Sequence, residues 1–100
     1  MATAKIRGRF DGEALLKNIS ITGCRLEHTV NIDVQIGSKY MMCIMPEKQA
    51  DVGEFDLSVE ARWVEAQSGV CMAGFSIVES PKGKLFQRYV DYLEYRAANP

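Results

Sequence analysis

Hydrophobic and polar residues alternate along most of the first eighty positions, with the period of two that opposite-facing strand side chains require. The clearest stretch is 55–64, where Phe55, Leu57, Val59, Ala61 and Trp63 share one face and Asp56, Ser58, Glu60 and Arg62 the other. A turn at Gln67-Ser68-Gly69 leads to a last strand, Val70 to Val78, with Cys71, Ala73, Phe75 and Ile77 toward the core. Residues 4–10 read as a first strand, with Ile6 and Phe10 on one face and Lys5, Arg7 and Arg9 on the other. Asp11-Gly12 then reads as a two-residue hairpin turn, because both residue types tolerate positive φ. The return strand runs from about Glu13 to Ile21. Leu15, Ile19 and Ile21 share one of its faces, with Lys17 the odd member, and Ala14, Leu16, Asn18 and Ser20 share the other. Thr22-Gly23 reads as a turn or bulge, after which Cys24 and Leu26 face inward and Arg25 and Glu27 outward. Gly37-Ser38 introduces a strand from Lys39 to Met45 that is apolar on both faces, so both are expected to be covered.

The period changes near residue 80. Ser80-Pro81 fits a helix start, with serine as N-cap and proline in the first helical position. Phe86, Tyr89, Val90, Leu93 and Ala97 follow helical spacing and form one apolar stripe. The expected fold is therefore mainly all-β. It is a small six-stranded antiparallel β-barrel over about 4–79, with a C-terminal α-helix over about 81–97 covering a mouth or an edge. One hundred residues make a single domain spanning 1–100.

Composition narrows the function classes. The net charge is −1, so no global basic field attracts nucleic acid or anionic lipid, and any anion site must be local. No apolar run approaches the roughly 18 residues a membrane helix needs, and no signal-peptide h-region follows Met1. The expectation is a soluble, cytoplasmic protein, or a domain of a longer one, that neither inserts in membranes nor binds nucleic acid. Cys24, Cys43 and Cys71 are odd in number and widely spaced, which is a poor disulfide framework. They read as reduced, buried small hydrophobes. With one histidine, His28, and no Cys-x-x-Cys, no metal or other cofactor is expected. No nucleophile–base motif is present either, so the chain is not expected to be an enzyme.

The first hairpin carries the most suggestive chemistry. Lys5, Arg7 and Arg9 place three cations within about 14 Å of extended strand. Its partner strand presents Asn18 and Ser20 near Gly23. Arginine matches phosphate through paired N–H groups and stacks on planar bases. Asparagine reads a base edge with one donor and one acceptor group, and glycine allows close approach to the backbone. These are the parts of a site for a nucleotide-like anion. An exposed basic strand face that merely aids solubility is the plainer reading of the same residues.

Asn18-Ile19-Ser20-Ile21-Thr22-Gly23 resembles the Asp/Asn-x-Ser-x-x-Gly signature of the PilZ domain family. Gly37-Ser38 resembles that family's turn before a middle strand, Gly74-Phe75-Ser76-Ile77-Val78 its last strand, and Phe86-Gln87-Arg88-Tyr89-Val90 its closing helix. The resemblance covers nearly the whole chain. It implies a six-stranded barrel that binds cyclic di-GMP, often as an intercalated pair, in bacterial signalling. Asn18 and Ser20 would then contact guanine and a nearby phosphate or ribose, with Gly23 permitting a tight turn. The family's second motif, Arg-x-x-x-Arg, is missing or degenerate here; the nearest match is Lys5-x-x-x-Arg9, with Arg7 between, so Arg7 and Arg9 would hold phosphate.

Two functions follow from the resemblance. One is a cyclic di-GMP receptor whose ligand changes its contacts with a partner protein or a parent-protein domain. The other is a degenerate PilZ domain that does not bind the dinucleotide and acts as a protein–protein adaptor, through Met41, Met45 and the second face of their strand.

Overall fold

A strand keeps its alternation only as long as its neighbour keeps register, and here that register breaks in informative places. The computed structural model describes residues 1–79 and 84–99. It contains strands β1 (Thr3–Lys5), β2 (Ala14–Ile19), β3 (Gly23–His28), β4 (Lys39–Met45), β5 (Phe55–Gln67) and β6 (Val70–Glu79), then helix α1 (Leu85–Ala98). The strands close into an antiparallel barrel in the order β1-β2-β3-β6-β5-β4. Closure leaves no free sheet edge. The expected barrel with its C-terminal helix is therefore the observed fold.

Inside the barrel, Ala4, Ala14, Leu26, Met42, Ile44, Leu57, Val59, Ala61 and Ala73 are completely buried. Small residues on β1 and β2 face larger ones on β4 and β5, which is how a narrow barrel is filled without voids. The helix closes one mouth. Phe86, Tyr89 and Val90 are buried there, and the Phe55 ring meets those of Phe86 and Tyr89 at 5.9 and 6.0 Å. The Tyr89 hydroxyl donates to Glu47 at 2.6 Å, so the phenol is not left unpaired on burial. Ile32, from the connection between β3 and β4, is buried at the opposite mouth and donates its N–H to Cys71 Sγ.

Several expected details are corrected. The first strand ends at Lys5 instead of reaching residue 10, and a turn occupies 7–9, with Gly8 at φ 78° and Arg9 N–H donating to the Ile6 carbonyl at 3.1 Å. Asp11-Gly12 is consequently not a two-residue hairpin turn. Only Gly12 of the pair has positive φ, and the connection from β1 to β2 spans residues 6–13. His28 ties down that connection: its Nε2 meets the Asp11 carbonyl at 2.8 Å, and its ring packs edge-on against Phe10. The return strand is shorter than 13–21, and β5 runs beyond residue 64 to Gln67. On β4 the second face is left open at Met41, which is 60% exposed. Ala97 of the expected apolar stripe is exposed, and Tyr92 takes part in the packing beside Leu93. The expected helix start at Ser80-Pro81 lies outside the described residues.

Of the cysteines, Cys24 and Cys71 are buried and Cys43 only partly so; all three are free thiols. Burial pushes the Cys24 thiol up to about 12. Burial, with help from the Glu47 hydrogen bond, also raises the Tyr89 phenol well above its ordinary value of 10. Both groups bind their proton more tightly folded than unfolded, so their contribution to stability is complete below about pH 9 and is lost as pH rises through the folded values. The melting temperature is expected to fall between pH 9 and 12, and Tyr89→Phe should flatten part of that fall. A melting temperature unchanged from pH 8 to pH 11 would contradict this.

Candidate functional site

Two β-bulges define the surface where the polar motif sits. On β2, Leu16 pairs with Leu26 and Asn18 with Arg25, so Lys17 is an extra residue without a partner. On β5, Ala61 pairs with Phe75 and Trp63 with Gly74, so Arg62 is extra. A bulge turns the following side chain to the opposite face from the one simple alternation assigns. Lys17 and Asn18 therefore both point outward, as do Arg62 and Trp63. This corrects two expectations. Asn18 does not share a face with Ala14 and Leu16, which point toward the barrel interior, and Trp63 is not on the core face of its strand.

The bulges end on the same lateral row. Asn18 on β2 is register partner of Arg25 on β3, Arg25 of Gly74 on β6, and Gly74 of Trp63 on β5. Adjacent strands lie about 4.8 Å apart, so this outer row spans about 14 Å. Gly74 is its floor. A Cβ at Gly74 would overlap the indole at Nε1 and Cε2, so the Trp63 ring lies directly over the bare backbone of its neighbour. The indole is nevertheless 39% exposed. A flat aromatic held against a sheet with part of its surface in solvent is a stacking platform for a planar ligand.

Beside the row lies a hollow of about 300 Å³ that includes Asn18, Ser20, Gly23, Arg25, Arg62 and Trp63 in its walls. The Ser20 hydroxyl accepts the Thr22 N–H at 3.3 Å and lies 3.1 Å from the Thr22 hydroxyl, which fixes the turn between β2 and β3. Gly23 belongs to β3 and is not at positive φ; its role is close approach, since a Cβ there would lie 2.6 Å from the Phe75 carbonyl oxygen. Arg62 pairs with Glu60 at 2.8 Å across an exposed surface. Such a pair contributes about 0–1 kcal/mol, so an incoming anion can recruit Arg62 at small cost. Arg25 is exposed, and no ion pair is recorded for it among the described residues.

The five residues singled out in the sequence thus divide into two groups. Asn18, Ser20 and Gly23 come together. Arg7 and Arg9 lie in the 6–13 connection, at the barrel end where β2 begins, whereas Asn18 lies where β2 finishes. The expected basic strand face of Lys5, Arg7 and Arg9 does not form. The Arg9 guanidinium instead covers the Tyr40 ring at 5.2 Å, and its carbonyl accepts the Asp33 N–H at 2.9 Å. Trp63, Arg25 and Arg62 are the residues that sequence reasoning missed. The signal for Trp63 was Gly74, since a glycine inside a strand marks a close approach by another group.

A second and larger cleft, of about 620 Å³, separates α1 from the outer end of β2. Asn18 lines this cleft as well as the hollow beside Trp63. Compared with known proteins, the chain matches no family model, and no curated protein matches it. No helix among the described residues is long and apolar enough to cross a membrane.

Proposed function

We propose that this chain is a PilZ-like receptor domain that binds cyclic di-GMP on the outer face of its barrel. The observation that supports this most is the row Asn18–Arg25–Gly74–Trp63, because it sets an amide, a guanidinium and an exposed indole beside the Asn-x-Ser-x-x-Gly motif. In this reading one guanine stacks on Trp63, as bases do on aromatic platforms. Asn18 reads the base edge, and the Ser20 hydroxyl donates to a phosphate or ribose oxygen. Arg25 and Arg62 take the phosphate role, since they stand on strands of this same surface. No group here is required to make or break a covalent bond, so the proposed function is binding and signalling, not catalysis.

Trp63 is the single tryptophan of the chain, so its emission reports on the platform directly. Titration at near-physiological salt is expected to give saturable heat and quenched Trp63 emission at micromolar ligand. Stacking contributes about 1–3 kcal/mol per base, so Trp63→Ala is expected to weaken binding about tenfold or more. Ser20→Ala removes a hydrogen bond to a charged oxygen, about 1.5–3 kcal/mol, and should weaken it comparably. Absence of both heat and quenching in the wild-type protein would reject the receptor reading.

The adaptor reading is favoured by a different observation. Met41 and Ile36, at the start and approach of β4, are 60% and 68% exposed, and α1 packs at the mouth, away from Met41. An adaptable methionine surface of this kind suits protein contact.

A further inference from the structure

We infer that the ligand site has two sides, and that α1 supplies the second. The inference rests on the cyclic di-GMP reading above and adds where the second base is held.

The hollow beside Trp63 is small for a dinucleotide. Its volume of about 300 Å³ lies at the lower end for small-molecule sites, whereas the cleft under α1, at about 620 Å³, lies well within their range. The two meet at Asn18, which stands in the wall of both. A ligand held by Asn18 is therefore positioned to fill either side, or both.

The α1 side offers its own place for a planar base. Tyr92 stacks against buried Tyr89, with ring centroids 6.3 Å apart and planes 13° from parallel. Tyr89 is in turn held by Glu47, so the Tyr92 ring is fixed from behind. The Arg96 guanidinium lies over the Tyr92 ring, 5.9 Å from its centroid, and donates to the Tyr92 hydroxyl at 3.4 Å. A guanidinium held over a phenol ring is itself a planar surface on which a purine stacks well.

Charge points the same way. The chain as a whole carries −1, yet Lys17 and Arg96 line the α1 cleft and Arg25 and Arg62 the Trp63 hollow. Among the described residues Glu47 is the one carboxylate in either lining, and it is engaged by the Tyr89 hydroxyl. Lys17 is the extra, outward-facing residue of the β2 bulge, and the ion pair it forms among the described residues, to Glu27, is long at 3.7 Å. Four cations thus surround Asn18 in a slightly acidic molecule, which concentrates positive potential where bridging phosphates would sit. The ligand this arrangement fits is a dinucleotide with its bases splayed apart, one on Trp63 and the other on Tyr92 and Arg96, with its phosphates between Lys17 and Arg25.

The test is titration of the full chain with cyclic di-GMP, followed by Trp63 emission, in the wild type, Tyr92→Ala and Arg96→Glu. The expected result is at least a tenfold loss of affinity in both variants, with the wild-type degree of quenching retained at saturation because the first base still reaches Trp63. Arg96 is exposed in the last turn of α1, so Arg96→Glu decides the matter if Tyr92→Ala unsettles the helix. A loss of less than tenfold in Arg96→Glu overturns the two-sided site while leaving the receptor reading intact. Loss of the saturating quench along with affinity also overturns it, since α1 would then only support the barrel. No binding by the wild type overturns the receptor reading, and this inference falls with it.

Discussion

Phe55→Ala is expected to lower the free energy of unfolding by about 3–5 kcal/mol, the cost of deleting a buried phenylalanine and leaving a cavity. Phe55 opens β5 at the barrel mouth, is 6% exposed, and is the ring on which both Phe86 and Tyr89 of α1 rest. The helix depends on such packing to stay in place. Its N-cap, Lys84, makes no side-chain capping bond, and a helix of 14 residues is marginal by itself in water. Small domains have only about 5–15 kcal/mol in total, so the substitution removes a large share. Urea unfolding followed by circular dichroism measures it. A loss below about 1 kcal/mol would mean that α1 is seated by contacts other than this aromatic cluster.

The second large effect is expected at Gly74. Gly74→Val places side-chain atoms where the Trp63 indole now lies, so the indole must leave or the strands must separate. Overpacking of this sort costs about 1–3 kcal/mol. The cost should depend on Trp63, because the three atoms nearest to a Cβ at this position all belong to the indole. In a Trp63→Ala background the same valine is expected to cost far less, giving a coupling of at least about 1 kcal/mol in a double-mutant cycle. Additive effects would show that valine clashes with the backbone and that the glycine does not serve the tryptophan. Under the proposed function, Gly74→Val should also weaken cyclic di-GMP binding about as much as Trp63→Ala does, since both would remove the stacking surface from its place.

Much of the fold was legible in the sequence because period-two alternation and helical spacing are local signals. Strand β4 was read with its observed ends, β3, β5 and β6 were placed to within a few residues, and the Phe86-Tyr89-Val90 stripe was correctly assigned to the core. The misplaced faces of Asn18 and Trp63 share one physical cause. Alternation says which side chains of one strand lie together, but not where the partner strand runs out of step. Lys17 as an odd charge on an apolar face and Gly8 inside a presumed strand were the local traces of such breaks. Gly8 and Gly12, both at positive φ, lengthen the first connection and carry Arg7 and Arg9 to the barrel end opposite Asn18.

By itself the sequence determined β3 to β6 to within a few residues, the terminal helix and the position of the Asn18–Gly23 motif, since each depends on residues close along the chain. Tertiary structure alone decided that Asn18, Arg25, Gly74 and Trp63 form one row, and that Asn18 faces α1 as well. That row joins residues on four strands, and two bulges set which of its side chains point outward. Each bulge is a mismatch between one strand and its partner, β2 with β3 and β5 with β6, so the alternation within a single strand does not fix it.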